Sequence, residues 1–331
     1  MPSKTIPQKT GYEVNSQPAR NPIVSIIVPI FNRAHLVEPS IGSLCLQDFG
    51  DLEIIVVDDA STDDLVAALD ALGDARIRLV RRGVNGGAAA ARNDGVAAAR
   101  GDLIAFSDSD DICIFNRIGR QVAALSTAPE LIGVYSSRLF HTELEEAEYG
   151  AMRSHVRPWP HERPLSGELF AATLRNNVIN LPTLMVRRSA LERAGPFDPL
   201  LRNNEDWDHS LRLTRQGPIG FIPDPLLITP SPVTLATEQG RISKSKRASA
   251  RSFVRITGKL RRDGHEGPVL ADHYRTTARL LIREGRVRSA RGFMRRALWL
   301  RPVFPKLWLQ FALSAFPETY TRLRGWYRAR Q

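Results

Sequence analysis

Asp108-Ser109-Asp110-Asp111 stands directly behind the apolar run Leu103-Ile104-Ala105-Phe106. Carboxylates gathered at one strand end repel each other and resist burial, so a cation is needed beside them. Hard oxygen ligands favour Mg2+ or Mn2+, which one or two carboxylates hold while phosphate oxygens complete the shell. A solvated turn or helix cap is the blander reading, and the position behind an apolar run argues against it. A second cluster, Glu205-Asp206-Trp207-Asp208, follows Gly195-Pro196-Phe197-Asp198. One of its carboxylates could take the proton of an attacking hydroxyl. An acidic first turn of a helix is the alternative.

The elements that must position these acids alternate in type. Val24 to Pro29 is a short β-branched run, as a buried parallel strand should be, and a helix is expected from about His35 to Gln47. Leu52 to Val57 repeats the strand pattern and ends in Asp58-Asp59; Ser61 and Thr62 then precede a helix around Leu65 to Leu69. Ile77 to Val80 reads as a third strand, Ala88 to Ala99 as an Ala-rich helix interrupted by Gly95, and Leu103 to Phe106 as a fourth strand. This spacing predicts an α/β fold with a doubly wound, mostly parallel sheet. Ligands of such sheets bind beyond the carboxyl ends of the strands, where the polar residues cluster here.

Residues 131 to 235 are less regular. Four regions are expected: a flexible leader over 1–21, the α/β domain over 22–235, a basic loop or linker over 236–267, and a basic helical region over 268–331. In the last, apolar residues three and four apart predict two amphipathic helices that meet near Glu284-Gly285. Residues 307 to 316 form a further apolar stretch.

The chain has 331 residues and a net charge of +11. The charge is split. Residues 1–240 carry 23 Lys+Arg against 30 Asp+Glu, and residues 241–331 carry 23 against 5. A basic tail of this kind meets a polyanion, a nucleic acid or an anionic membrane surface. No apolar run reaches the roughly 18–20 residues of a membrane-spanning helix, and the first twenty residues lack a secretory signal's apolar core. A cytoplasmic protein is expected. Cys45 and Cys113 sit among apolar neighbours and read as reduced packing residues.

Taken in order from about Val24 to Asp224, these stretches resemble glycosyltransferase family 2, the inverting family with the GT-A fold. The fold implied is that type of sheet with a C-terminal helical extension. Val24 to Arg33 looks like the family's opening strand and turn, so Pro29 and Phe31 are expected to line the nucleobase pocket. Ile55 to Asp63 matches its second strand, and the resemblance gives Asp59 the base-binding place. Asn85 to Asn93 is similar to its Gly-rich turn and helix, with Gly86 allowing close approach and Arg92 expected near the donor diphosphate. The acidic motif maps Asp108 to the ribose and Asp110 to the metal, Mn2+ or Mg2+. Cys113 and Phe115 depart from the family's usual residues, which bears on the sugar pocket. Glu205 to Asp208 matches its ED motif, with Asp206 as base and Glu205 and Asp208 as secondary candidates.

The resemblance implies direct displacement at the anomeric carbon of a nucleotide-diphosphate sugar, UDP favoured, by a glycan or lipid-linked hydroxyl acceptor in cell-envelope polysaccharide or glycolipid assembly. The protein would then work in the cytoplasm, with the basic tail peripheral on the inner face of the membrane or simply packed on the catalytic domain. Nucleic acid is disfavoured as a partner. Three rivals are weaker. A nicotinamide dehydrogenase needs G-x-G-x-x-G after a strand, which Val84-Asn85-Gly86-Gly87 does not supply. A metal-dependent nucleotidyltransferase leaves the second acidic cluster without a purpose. A non-catalytic carbohydrate-binding or scaffold module leaves Asp59, Asp108, Asp110 and Asp206 unexplained together. His141, His155, His161 and His209 read as surface or packing residues.

Overall fold

A computed structural model describes residues 21–141, 166–230, 246–265, 267–303 and 305–315. Residues 1–20 of the expected leader, 142–165 and 231–235 of the expected α/β domain, 236–245 of the expected linker, and the last sixteen residues with Arg322 to Arg330 lie outside them, so His155 and His161 do too.

The first half is built from four parallel strands and their crossover helices: β1 (Val24–Ile30), α1 (Val37–Cys45), β2 (Leu52–Asp58), α2 (Leu65–Asp70), β3 (Ile77–Arg81), α3 (Ala88–Ala98) and β4 (Leu103–Phe106). Then come β5 (Ile112–Cys113), α4 (Arg117–Thr127), β6 (Gly133–His141), α5 (Phe170–Arg175), β7 (Met185–Arg187), α6 (Arg188–Ala194), α7 (Glu205–Leu213) and β8 (Ile219–Pro230). All eight strands join one sheet in the order β3-β2-β1-β4-β7-β6-β8-β5. β7 runs antiparallel to β4 and β6, and β5 antiparallel to β8. The sheet is therefore parallel through the first four strands and mixed beyond.

β1 shows why its residues are buried on both faces. Val24, Ile26, Val28 and Ile30 join one apolar layer with Ile41 and Leu44 of α1 and Leu65 of α2, whereas Ile27 joins Ala89 and Ala91 of α3 in the other. Gly95 does not interrupt α3. A Cβ there would overlap Ile27 and Val57, so the missing side chain lets helix and sheet approach closely.

The segment expected as a basic linker over 236–267 differs from that expectation. Lys246–Arg262 is a helix, α8, followed by α9 (Pro268–Arg283), α10 (Val287–Leu300) and α11 (Pro305–Leu313). Among its many basic residues, Ala250, Phe253, Ile256 and Leu260 recur at spacings of three and four and face a third core. Trp207 and Leu211 of α7 enter that same core from the α/β domain. α9 and α10 meet at Gly285, whose φ of +80° closes the turn. Cys113 is buried, Cys45 is half-buried with its thiol pushed up to about 12 by burial, and neither forms a disulfide.

Candidate active site

The acids sit where the sheet ends. β1 finishes at Ile30, leaving Phe31 44% exposed, while Pro29 stays within the strand opposite Val57. Asn32 takes a positive φ of 50°, and its Oδ1 accepts from the Thr62 amide while its own amide donates to Ser61 Oγ. The turns after β1 and β2 are thus laced together.

Asp59 is buried beneath the Gly-rich turn. Its carboxylate accepts from the Gly86 amide at 2.8 Å, from the Gly87 amide at 2.7 Å and from the Arg82 guanidinium. Gly87, at φ +83°, opens α3. A carboxylate offers about four acceptor sites, so these contacts leave roughly one for any ligand. Holding the turn is the role visible for Asp59 in this structure.

Arg92, expected to reach a diphosphate, is instead only 5% exposed. One terminal nitrogen donates to Asp108 at 2.8 Å and the other to Glu205 at 2.9 Å. Its guanidinium also lies 5.8 Å from the centre of the Phe197 ring. Burial works against its charge, yet Asp108 and Glu205 raise its pKa above the usual guanidinium value. Arg92 therefore ties the two acidic motifs to each other.

The DxD carboxylates crowd one corner. Asp110 lies 3.3 Å from Arg33 with its side chain 8% exposed. Asp111 is buried, and burial together with the charges of Asp108 and Asp110 holds its carboxyl well above the usual range. Negative charge is in surplus here, as a cation site requires. Among the described residues no group of three or more His, Cys, Asp and Glu could hold a metal alone. Two carboxylates with phosphate oxygens remain a suitable set for Mg2+ or Mn2+.

The ED motif divides by direction. Its helix starts after Asn204, which caps it at φ +58°, a conformation Asn tolerates. Glu205 pairs with Arg92. Asp206 accepts from Asn177 Nδ2 at 2.9 Å and has no salt-bridge partner among the described residues. Burial first, then Glu205, raise its carboxyl to about 6 against the pull of Arg92. Trp207 turns the other way, donating to the Thr173 carbonyl at 2.7 Å and stacking on His273 of α9.

Asp208, a secondary candidate for base, also turns away. It meets Lys259 of α8 at 2.7 Å and Arg212 at 3.3 Å. Two residues along a helix is about 200°, so Asp206 and Asp208 face opposite sides. Asp198 joins Arg255 at 2.5 Å and Lys259 at 2.8 Å, and these partners bring its carboxyl down to about 2 despite burial. His209 is buried against Phe197 with ring centres 4.0 Å apart, a packing residue.

Four residues near the acids were not foreseen as site residues. Arg33 closes the opening strand-and-turn motif and Arg82 stands just before the Gly-rich turn, and these positions are a usable signal. Arg138 is buried on β6, where burial lowers its pKa against the pull of Asp111, Asp108 and Asp206. An arginine directly before Leu139 and Phe140 in a strand is itself a signal. Asn177 carries none.

The profile described as Glycosyl transferase family 2 matches residues 25–194. The chain is 39% identical over 103 residues to the Escherichia coli UDP-Glc:alpha-D-GlcNAc-diphosphoundecaprenol beta-1,3-glucosyltransferase WfgD, an alignment covering 31% of this chain and 41% of that protein. S. aureus TarS 1-349 in complex with UDP-GlcNAc superposes with a TM-score of 0.65 at 18% identity, covering 93% of this chain and 92% of that one. The mannosyltransferase PcManGT from Pyrobaculum calidifontis, in complex with GDP-Man and Mn2+, gives 0.55 at 18% identity, covering 96% and 91%. These two solved structures share the fold.

Proposed function

The chain belongs to glycosyl transferase family 2, and we propose that it moves a sugar from a UDP-sugar to a hydroxyl acceptor with inversion at the anomeric carbon. One observation carries the choice of base. Of Glu205, Asp206 and Asp208, only Asp206 lacks a cationic partner among the described residues, and its carboxyl is raised to about 6. A base that titrates near 6 is ionised at neutral pH yet keeps more proton affinity than an ordinary carboxylate.

In this reading Asp206 takes the acceptor proton as the hydroxyl oxygen bonds to the anomeric carbon. The bond from that carbon to the diphosphate oxygen breaks from the opposite side, and the nucleoside diphosphate leaves with the electron pair. Asn177 orients the Asp206 carboxylate through its donated hydrogen bond. Phe31 and Pro29 provide a wall for the nucleobase, and Asp59 holds Gly86 and Gly87 where the backbone can approach phosphate. Asp110, with Asp108 beside it, would hold a Mn2+ or Mg2+, which when bound neutralises charge on the departing diphosphate.

The name of the WfgD relative supports a UDP-sugar donor and a lipid-diphosphate-linked glycan as acceptor, and our reading assigns that transfer to assembly of a cell-envelope polysaccharide. Such an acceptor would place the enzyme in the cytoplasm at the inner face of the membrane. No described helix is long and apolar enough to cross a membrane. The test is a panel of UDP-, GDP- and deoxythymidine-diphosphate sugars, scored for Mn2+-dependent rise in melting temperature and then for transfer to lipid-diphosphate acceptors. Stabilisation by UDP-sugars above the rest is expected. No response to any nucleotide-sugar would overturn the reading.

A further inference from the structure

We propose that the corner formed by α10 and α11 seats on an anionic lipid surface, through an arginine stripe that runs into a cluster of exposed tryptophan and aliphatic side chains. The apolar part is unusual for a water-facing surface. Trp299 is 83% exposed, Val303 67%, Trp308 49% and Leu309 62%. They lie within eleven residues at the end of α10 and the start of α11. Trp308 Nε1 donates to the Pro302 carbonyl at 2.9 Å, so its one polar atom is satisfied inside the protein. Its ring meets Phe311 edge-on, and the Arg291 guanidinium lies 4.9 Å from the centre of the Phe311 ring. The patch is therefore held in place and continuous with α10.

The charged part leads into it. Arg288, Arg295 and Trp299 are exposed and seven and four residues apart, which aligns them along one side of α10. Arg295 and Trp299 are one helical turn apart. Across residues 268–315 there are ten Lys+Arg and two acids. Neither acid answers the stripe. Asp272 is taken by Arg275 and Arg301, and both carboxylate oxygens of Glu284 are buried. Among the described residues Arg288, Arg295 and Arg296 have no ion-pair partner. On α9, burial first and then the charges of Arg283 and Arg275 lower the pKa of Arg279.

An anionic leaflet answers both halves at once. Basic side chains gain from its negative surface potential, and Trp prefers the headgroup level, where a ring can be half in hydrocarbon. A nucleic acid would answer the arginines but has no place for Val303 and Leu309. A second copy of the chain would answer the apolar patch but bring the same positive charge against itself.

The experiment is flotation of the full chain with vesicles of phosphatidylglycerol and phosphatidylcholine in equal parts, against phosphatidylcholine alone, at low and at high salt. Wild type is expected to float with the anionic vesicles at low salt and to be released by high salt, since exposed charges are screened beyond ~8 Å at physiological ionic strength. Arg288→Glu with Arg295→Glu should weaken binding by at least about fivefold per position. Trp299→Ser with Leu309→Ser should weaken it by roughly tenfold through lost apolar insertion. These side chains are exposed, so an unchanged melting temperature will show that both variants fold. Absence of flotation at low salt overturns the proposal, as does flotation that both variants retain. Retention by RNA without flotation assigns the surface to nucleic acid. A concentration-dependent dimer that Trp299→Ser disperses, without flotation, assigns it to a second copy. Vesicle binding needs no donor or acceptor, so this result and the one on sugar transfer are independent.

Discussion

Arg92 and Glu205 stand 113 positions apart in the chain and meet at 2.9 Å beneath the site. The same guanidinium holds Asp108, so the acidic motif after β4 and the helix that carries Asp206 share one buried cation. Its loss leaves two carboxylates without their partner. Arg92→Ala should therefore lower stability by about 3–5 kcal/mol, the usual effect of breaking a buried ion pair from one side. Urea unfolding checks this, and a variant within 1 kcal/mol or so of wild type would show that the pairing contributes little.

Asp206→Asn keeps shape and removes basicity. Turnover is expected to fall by roughly 10² to 10⁴-fold while UDP affinity holds. Glu205→Gln should act mainly through its bond to Arg92, lowering stability more than rate. Measuring turnover, UDP affinity and melting temperature on both separates the roles. If Glu205→Gln carries the rate loss and Asp206→Asn does not, the base is Glu205.

The acid limb of the rate profile should report Asp206. A base works when deprotonated, so kcat should be level above pH 7 and fall tenfold per unit below about 6, where the Asp206 carboxyl takes up its proton. The stability effect has the opposite sign. A carboxyl whose folded pKa is raised favours the folded state when protonated, and that contribution fades as pH rises from about 4 through 6. Asp206→Asn should then be no less stable than wild type at pH 7. A lower melting temperature there would mean that the ionised carboxylate has a structural partner.

Asp110→Ala should abolish the part of UDP affinity that depends on Mn2+ and leave the metal-free part. Calorimetric titration with and without Mn2+ reads both. Equal loss in the two conditions would point to Arg33, which sits 3.3 Å from Asp110 and would be released by the substitution.

Lys259→Met should loosen the contact of α8 with the α/β domain, because Asp198 and Asp208 both meet that one ammonium. A stability loss of about 1–3 kcal/mol is expected, with kcat unchanged on a soluble acceptor. Asp198 adds a pH signature. Its carboxyl is brought down to about 2, so its contribution is present above pH 4 and fades as pH falls from 4 through 2. Acid unfolding of Arg255→Gln alongside wild type tests it: an identical midpoint would show that Asp198 gains nothing from Arg255.

The first four strands were legible because each is a short run rich in apolar and β-branched residues bounded by polar or turn residues, and the run Leu103 to Phe106 coincides with β4. β7 was not, since three residues, Met185 to Arg187, hold too little pattern. α8 departs from the expected linker because its basic composition masks an apolar face at helical spacing. The acids were legible as clusters, and the order of motifs named them. Their partners were not, because no local pattern links Arg92 to a residue more than a hundred positions away. The direction of Asp208 was within reach: helical geometry alone turns it away from Asp206.

The division of Glu205 to Asp208 between two faces also limits how this protein can be recombined. Its first two residues look into the site, and its last two are half of a joint whose other half is Lys259, Phe253 and His273. Grafting another family member's C-terminal helices onto this α/β domain would leave Asp198, Trp207 and Asp208 facing strangers, a few residues from Asp206. The practical seam for chimeras therefore cannot lie between α7 and α8; a transplant must carry the motif and the helices that grip it as one cassette.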